Sequence, residues 1–203
     1  MPRASDAERV PALPEADGAR RSVELAGYRT EYRILGSLEV VHRGEAVPTG
    51  GQRKRALLAR LLLEANRTVS IDALVDALWG ERMPSTAVKM VHIYVSQLRK
   101  VLPPGVLQTR APGYRLEVAP EAVDLLRFER LHKEGREALA DGDAVTAAER
   151  LAAACALWRG PALGEFSEPF AAAAAAHLDE LRLLAVEDRV DAELALGRDH
   201  ELV

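Results

Sequence analysis

The stretch Ser85 to Leu102, "STAVKMVHIYVSQLRKVL", restricts the fold more than any other part of the chain. Val88, Val91, Val95, Leu98 and Leu102 recur at the period of one side of a helix, so that side must face a core. The other side carries Lys89, His92, Ser96 and Arg99 at the same spacing, with Thr86 and Lys100 at its ends, Ile93 beside it and no carboxylate anywhere in the stretch. Long cationic donors in this arrangement can reach phosphates or the guanine edge, while Ser96 and His92 are short enough to allow close approach to a groove. A merely solvated polar face is the competing explanation, and the flanking sequence weighs between the two.

Upstream, "QRKRALLARLLLEANRTV" places Leu57, Leu58, Leu61, Leu62 and Ala65 at helical spacing and ends near Asn66. Its first turn carries Arg53, Lys54 and Arg55. Cations there oppose the helix dipole unless a phosphate docks at the same end. Ser70 is an N-cap residue for a second short helix, "SIDALVDALWG", with Ile71, Leu74, Val75 and Leu78 on one stripe and Gly80 as its stop. Pro84 and Ser85 then open the third helix. Beyond it, "VLQTRAPGYRLEV" reads as two strands around Ala111-Pro112-Gly113, with Arg110 and Arg115 flanking the turn. Ahead of the helices, "EYRILG", "SLEVVHRG" and "EAVPTGG" are short strand runs punctuated by Gly36 and Gly44, with Tyr32 and Ile34, then Leu38 and Val40, alternating. The order is small β-sheet, three helices and C-terminal β-hairpin. This is an α+β winged helix-turn-helix, with the hairpin as a wing able to lie along a nucleic-acid backbone.

A net charge of −4 would argue against such a partner, but the charge is unevenly spread. Residues 51–118 hold 11 Lys and Arg against 5 Asp and Glu, whereas residues 119–203 hold 9 against 18. Residues 1–27 mix Pro, Ala, Gly and both charge signs without an apolar period and are expected to form a disordered leader. The winged helix is assigned to 28–118 and an all-α domain to 119–203. In the latter, "DLLRFERLHKEGREALADG" puts Leu125, Phe128, Leu131, Gly135 and Leu139 on one face. "AVTAAERLAAACALWRG" follows the Gly142-Asp143 turn with Ala147, Ala148, Leu151 and Cys155 at helical spacing, then breaks at Gly160-Pro161. Small residues at such positions let helices approach closely, as in tetratricopeptide-like pairs. A long helix from about Glu168 to Leu196 has two apolar faces, Leu178, Leu181 and Ala185 on one and Leu183, Val186 and Val190 on the other. Such a helix wants neighbours on both sides. The closing "GRDHELV" looks like a turn and the start of another helix, so the chain is expected to be a fragment.

Other chemistries have little support. The lone Cys155 excludes an internal disulfide, and no Cys/His cluster has zinc spacing, so neither a metal nor a cofactor is expected and the setting is a reducing cytoplasm. No export signal, membrane span or GxxxxGK[ST] phosphate loop is present. Glu187, Asp188 and Asp191 are read as a solvated helix face rather than an acid/base set, and His177 and Cys155 as packing residues. Trp79 and Trp158, each before a chain break, are read as anchors of small cores. No catalytic set converges, so an enzyme is not expected.

"GGQRKRALLARLLLEANRTVSIDALVDALWG", "VHIYVSQLRKVL" and "TRAPGYRL" resemble the OmpR/PhoB-type winged helix of the Streptomyces antibiotic regulatory protein (SARP) family. "VDLLRFERLHKEGREALADGDAVTAAERLAAACALWRGPALGEF" is similar to the bacterial transcriptional activation domain that follows it in that family. The resemblance implies a pathway-specific activator of secondary metabolism such as antibiotic biosynthesis. Its winged helix would bind direct repeats in double-stranded promoter DNA, and its tetratricopeptide-like domain would support a homodimer on DNA and contact RNA polymerase holoenzyme. It places the recognition helix at 86–101, with Lys89, His92, Ser96 and Arg99 at the groove, and the wing at 106–118, giving Arg110, Tyr114 and Arg115 as contacts. Arg53 and Lys54 match the first-helix terminus that approaches phosphate. Two alternatives remain open at this point: a repressor using the same contacts, and a helical protein-interaction adaptor.

Overall fold

Alternation and turn chemistry produce two small sheets in the computed structural model, which describes residues 30–197. The expected leader and the end of "GRDHELV" lie outside the described residues. Strands β1 (Thr30–Arg33), β2 (Glu39–His42) and β3 (Glu45–Ala46) pair antiparallel in that order, with Tyr32 opposite Val40. Tyr32, Ile34, Leu38 and Val40 all point into the core, as the alternation requires. Helix α1 (Gln52–Leu63) follows, and Asn66 then turns the chain with a left-handed φ of 66°. That asparagine is chosen for more than its tolerance of φ. Its Oδ1 accepts the Val118 amide at 2.9 Å and ties the helix end to the strand that leaves the wing.

Strand β4 (Thr68–Ser70) runs directly into α2 (Ile71–Trp79), and Ser70 serves both. It closes the ladder opposite Gly113, and its Oγ accepts the Ala73 amide at 3.1 Å as an N-cap. Ser70→Ala is expected to lower stability by about 1 kcal/mol in chemical denaturation, the usual value of a lost cap. A change below a few tenths would mean that the cap is redundant with the β4 pairing.

A 3-10 turn at Gly80–Arg82 leads to α3 (Ala87–Leu98), then to β5 (Leu107–Arg110) and β6 (Gly113–Leu116). The second sheet has the order β4-β6-β5, so the hairpin is pinned to the chain segment ahead of α2. The seam of α3 differs from the expected one by one residue. Ala87, Val91, Val95 and Leu98 are buried, with Leu102 just beyond, whereas Val88 is 44% exposed. Positions 87, 91, 95 and 98 describe a tighter stripe than one including 88, which lies a further 100° or so around the helix on the flank. Alanine at 87 lets the start of α3 come close to its neighbours, a packing role that hydrophobicity alone does not signal.

Three helices complete the described chain: α4 (Asp124–Ala140), α5 (Ala144–Cys155) and α6 (Pro169–Ala195). Helix α5 is capped by Asp143, whose Oδ1 accepts the Thr146 amide at 3.0 Å. Small residues set the spacing of α4 and α5: a Cβ on Gly135 would lie 2.6 Å from Leu151 Cγ. Along α6, Leu178 and Ala185 are buried, while Leu183, Val186 and Leu194 are exposed, so only one of its two apolar faces is covered by the described residues.

One apolar cluster runs from Tyr32 through Leu57, Leu74, Val91 and Leu116 to Phe128, Leu163 and Ala185. The sheet domain and the helical domain thus share a core. Polar ties reinforce the junction. Asp124, 5% exposed, accepts the Ile34 and Leu35 amides at 2.8 to 3.0 Å. Burial pushes its carboxyl up, opposed by those hydrogen bonds and by the Arg159 charge at 3.6 Å. Arg55 donates to both oxygens of Glu165 and to the Leu38 carbonyl, and Glu165 in turn accepts the Leu38 amide. Arg159 adds a 2.9 Å pair to Glu39.

Candidate nucleic-acid interface

With its apolar stripe facing α1 and α2, α3 exposes Thr86, Lys89, His92, Ser96 and Lys100. Thr86 stands at the N-cap position but makes no capping bond with its side chain. The helix presents both cations and short polar groups, and its own sequence supplies no acid to neutralise them. Lys100 lies just past the end of α3, where Lys100, Val101 and Leu102 continue in hydrogen-bonded turns to Gln97 and Leu98.

The arginines have a different place from the lysines. Arg99 is the C-cap of α3, and its Nε donates to the Leu107 carbonyl at 2.9 Å while an Nη donates to Thr109 Oγ1 at 2.8 Å. Its guanidinium also lies 5.7 Å from the centre of the Tyr114 ring. Tyr114 is only 7% exposed, with its ring edge-on to His92 at 6.3 Å. Arg99 and Tyr114 therefore join the hairpin to α3. Similarly, Arg53 donates to the Leu78 carbonyl at 2.6 Å and lies 5.3 Å over Trp79, closing the C-terminal end of α2. Arg55 faces the helical domain through Glu165. Of the expected basic first turn of α1, Arg53 stays exposed while making its contacts with Leu78 and Trp79, and Lys54 is half-buried with its side chain lying across Gly50.

On the hairpin, Arg110 is exposed next to the turn and held by Gln108 Oε1 at 3.1 Å. Arg115 is half-buried, 3.5 Å from Glu117, with a buried Nε that has no partner. The two share one face of the hairpin and differ in their place along it: Arg110 sits at the tip opposite Gly113, and Arg115 in mid-ladder between Gln108 and Thr68. The structure thus gathers Lys89, His92, Ser96 and Lys100 on one exposed surface, with Arg110 at the hairpin tip.

Residues singled out for other chemistry fall into place separately. His177 is exposed rather than packed, on the flank of α6 at the rim of a cavity it lines with Glu129, Ala174 and Leu181. Cys155 is half-buried, its thiol pushed up by burial and its Sγ 3.8 Å from the Ala185 carbonyl. Glu187 and Asp191 are solvated, but Asp188 is not merely so: it bridges α6 to His132 of α4 at 2.6 Å. Sequence spacing could not have linked positions 56 residues apart. Trp79 and Trp158 both pack on the main core, Trp158 edge-on to Phe128 at 5.4 Å. Among the described residues, no group of three or more His, Cys, Asp or Glu could hold a metal ion, and no helix is long and apolar enough to cross a membrane.

Comparison with known proteins agrees with this geometry. The family model described as "Transcriptional regulatory protein, C terminal" matches residues 44–116, and the bacterial transcriptional activator domain matches residues 123–203. The chain is 41% identical over 181 residues to the transcriptional regulatory protein EmbR of Mycobacterium tuberculosis, covering 84% of this chain and 46% of EmbR. It is 39% identical over 194 residues to the regulatory protein AfsR of Streptomyces coelicolor, covering 95% of this chain and 18% of AfsR. A solved structure of Mycobacterium tuberculosis EmbR in complex with a low-affinity phosphopeptide superposes with a TM-score of 0.82 at 38% identity, over 86% of this chain and 48% of that one. The chain spans less than half the length of these relatives. They are transcriptional regulators rather than enzymes, and both the winged helix with its wing and the helical domain are present here in the same order. An OmpR/PhoB-type winged helix followed by a bacterial transcriptional activator domain defines the SARP-type transcriptional regulators, and this chain belongs to them.

Proposed function

We propose that this chain activates transcription by docking its winged helix, residues 28–118, on direct repeats in promoter DNA and presenting residues 119–203 to a second copy and to RNA polymerase. The observation that carries the reading is the exposed, acid-free surface of α3, fixed from behind by a fully apolar seam. In this arrangement Lys89, His92 and Ser96 enter the major groove, with Thr86 and Lys100 near its edges. Lys54 and Arg110 lie against phosphates on either side. Tyr114 and Arg115 act from behind, and Arg53 and Arg99, both exposed, hold α2 and the hairpin in place while facing the DNA backbone.

The acidic helical domain has little affinity for DNA of its own, so its surface is free for protein partners. The shared core keeps its orientation relative to α3 fixed, which suits recruitment of polymerase from a bound site. The reading places the chain in the cytoplasm, and membership of the SARP-type regulators favours control of secondary metabolism.

Binding measurements on paired variants test it. Lys89→Ala is expected to weaken specific binding by about 1 to 3 kcal/mol and to relax preference at one base position. Arg110→Ala should weaken all duplexes alike and lower the salt slope by about one unit. If both variants bound every duplex as the parent does, this surface would not be the DNA interface.

A further inference from the structure

Ile93 sits in the middle of the polar surface of α3, 38% exposed and outside the main core. Lys89 stands one turn before it, Ser96 and Gln97 one turn after and Lys100 two turns after. Every one of these neighbours can donate a hydrogen bond; Ile93 can make none. A branched aliphatic side chain surrounded by donors is poorly placed in water. With Lys89 in the groove and Lys100 near its edge, Ile93 lies between them on the outward side of α3 and is brought to the groove floor. Once there, it has one apolar complement. Guanine and adenine present N7 and their exocyclic groups in the major groove, cytosine presents its amine, and thymine alone presents a methyl group. The flank of α3 toward the hairpin is taken up by His92, Arg99 and Tyr114, and Ile93 belongs to neither that group nor the main core.

We propose that Ile93 is a specificity-determining residue that selects a thymine by contact with its 5-methyl group. The inference rests on the DNA-binding reading above, and its test separates the two. The full chain selects a duplex from a random pool at fixed salt, and each thymine of that duplex is then replaced in turn by deoxyuridine, which lacks only the methyl. The parent protein is expected to lose about fourfold in affinity at one thymine of each bound repeat, the value of one buried methyl group. Ile93→Ala should bind the thymine and uracil forms of that position equally, while Ile93→Val retains part of the discrimination. Ile93 is a surface residue, so both variants should fold as the parent does. The proposal is overturned if no deoxyuridine substitution weakens the parent, if Ile93→Ala loses as much as the parent at every position, or if the selected site has no thymine. In each of those cases salt-dependent binding persists and the DNA reading stands. Absence of salt-dependent binding to any duplex would remove both.

Discussion

Replacing Phe128 with Ala is expected to lower the unfolding free energy by about 3 to 5 kcal/mol and to lower it for both halves of the molecule at once. Phe128 is fully buried in the first turns of α4, edge-on to Trp158 and stacked near His132. It belongs to the same cluster as Tyr32 and Ile34 of the first sheet and Leu57 and Leu61 of α1. If the winged helix and the helical domain were separate bodies joined by a linker, a cavity at 128 would loosen only the helical part. The shared core and the Asp124, Arg55–Glu165 and Arg159 ties instead make one cooperative unit of the described residues. Thermal melts followed at two probes, Trp79 near the DNA-binding surface and Trp158 near the cavity, distinguish the outcomes. Single-tryptophan versions of Phe128→Ala should show coincident transitions shifted together. A transition at Trp158 that moved while the one at Trp79 stayed would refute the shared core.

Much of this architecture is legible in the sequence because local signals suffice for it. Ser70, Gly80 and Gly142-Asp143 announce helix ends by their own chemistry, and alternation around Tyr32 and Val40 announces a sheet with one buried face. The exposed cationic surface of α3 follows from the same periodicity, which also picks out its donors. What periodicity could not supply is the partner of each charge. Arg53, Lys54 and Arg55 are equivalent as a run of cations, yet one caps α2, one lies over Gly50 and one crosses to Glu165, 110 residues away. Arg99 has the spacing of a groove residue, but its place at the end of α3 puts it next to Leu107 and Thr109 of the hairpin. Val88 is exposed for a related reason: at the edge of an apolar stripe, a one-residue rotation exchanges core for solvent, and the small Ala87 takes the inner position. Such choices depend on what is packed alongside, which separate segments of the chain decide together.

Gly113→Val is expected to destabilise the fold by about 3 kcal/mol and to weaken DNA binding beyond what that loss of folded protein accounts for. Gly113 starts β6 and pairs with both Ser70 of β4 and Arg110 of β5. A Cβ at this position would overlap the Val69 carbonyl oxygen and lie 2.7 Å from Ser70 Cα, so the obstacle is backbone and cannot rotate away. The strands must separate. With them goes the 3.3 Å bond from the Ile71 amide to the Pro112 carbonyl, and with it the anchor between the hairpin tip and α2. Tyr114, the next residue, shifts too and releases Arg99 from its position above the ring. The hairpin then no longer holds Arg110 at a fixed distance from α3. Gly164→Ala supplies the control, since the residue is exposed, far from the hairpin in sequence, and a Cβ there meets nothing closer than the 3.5 Å of an ordinary contact. It should change stability by less than about 0.5 kcal/mol, the usual range for an unencumbered surface position. Chemical denaturation gives the stability of each variant, and binding measured at a temperature where the parent and Gly113→Val are both folded gives the rest. Equal affinity under those conditions would mean that the hairpin contributes to folding alone, and that DNA is gripped by α3 and the N-terminus of α1 without it.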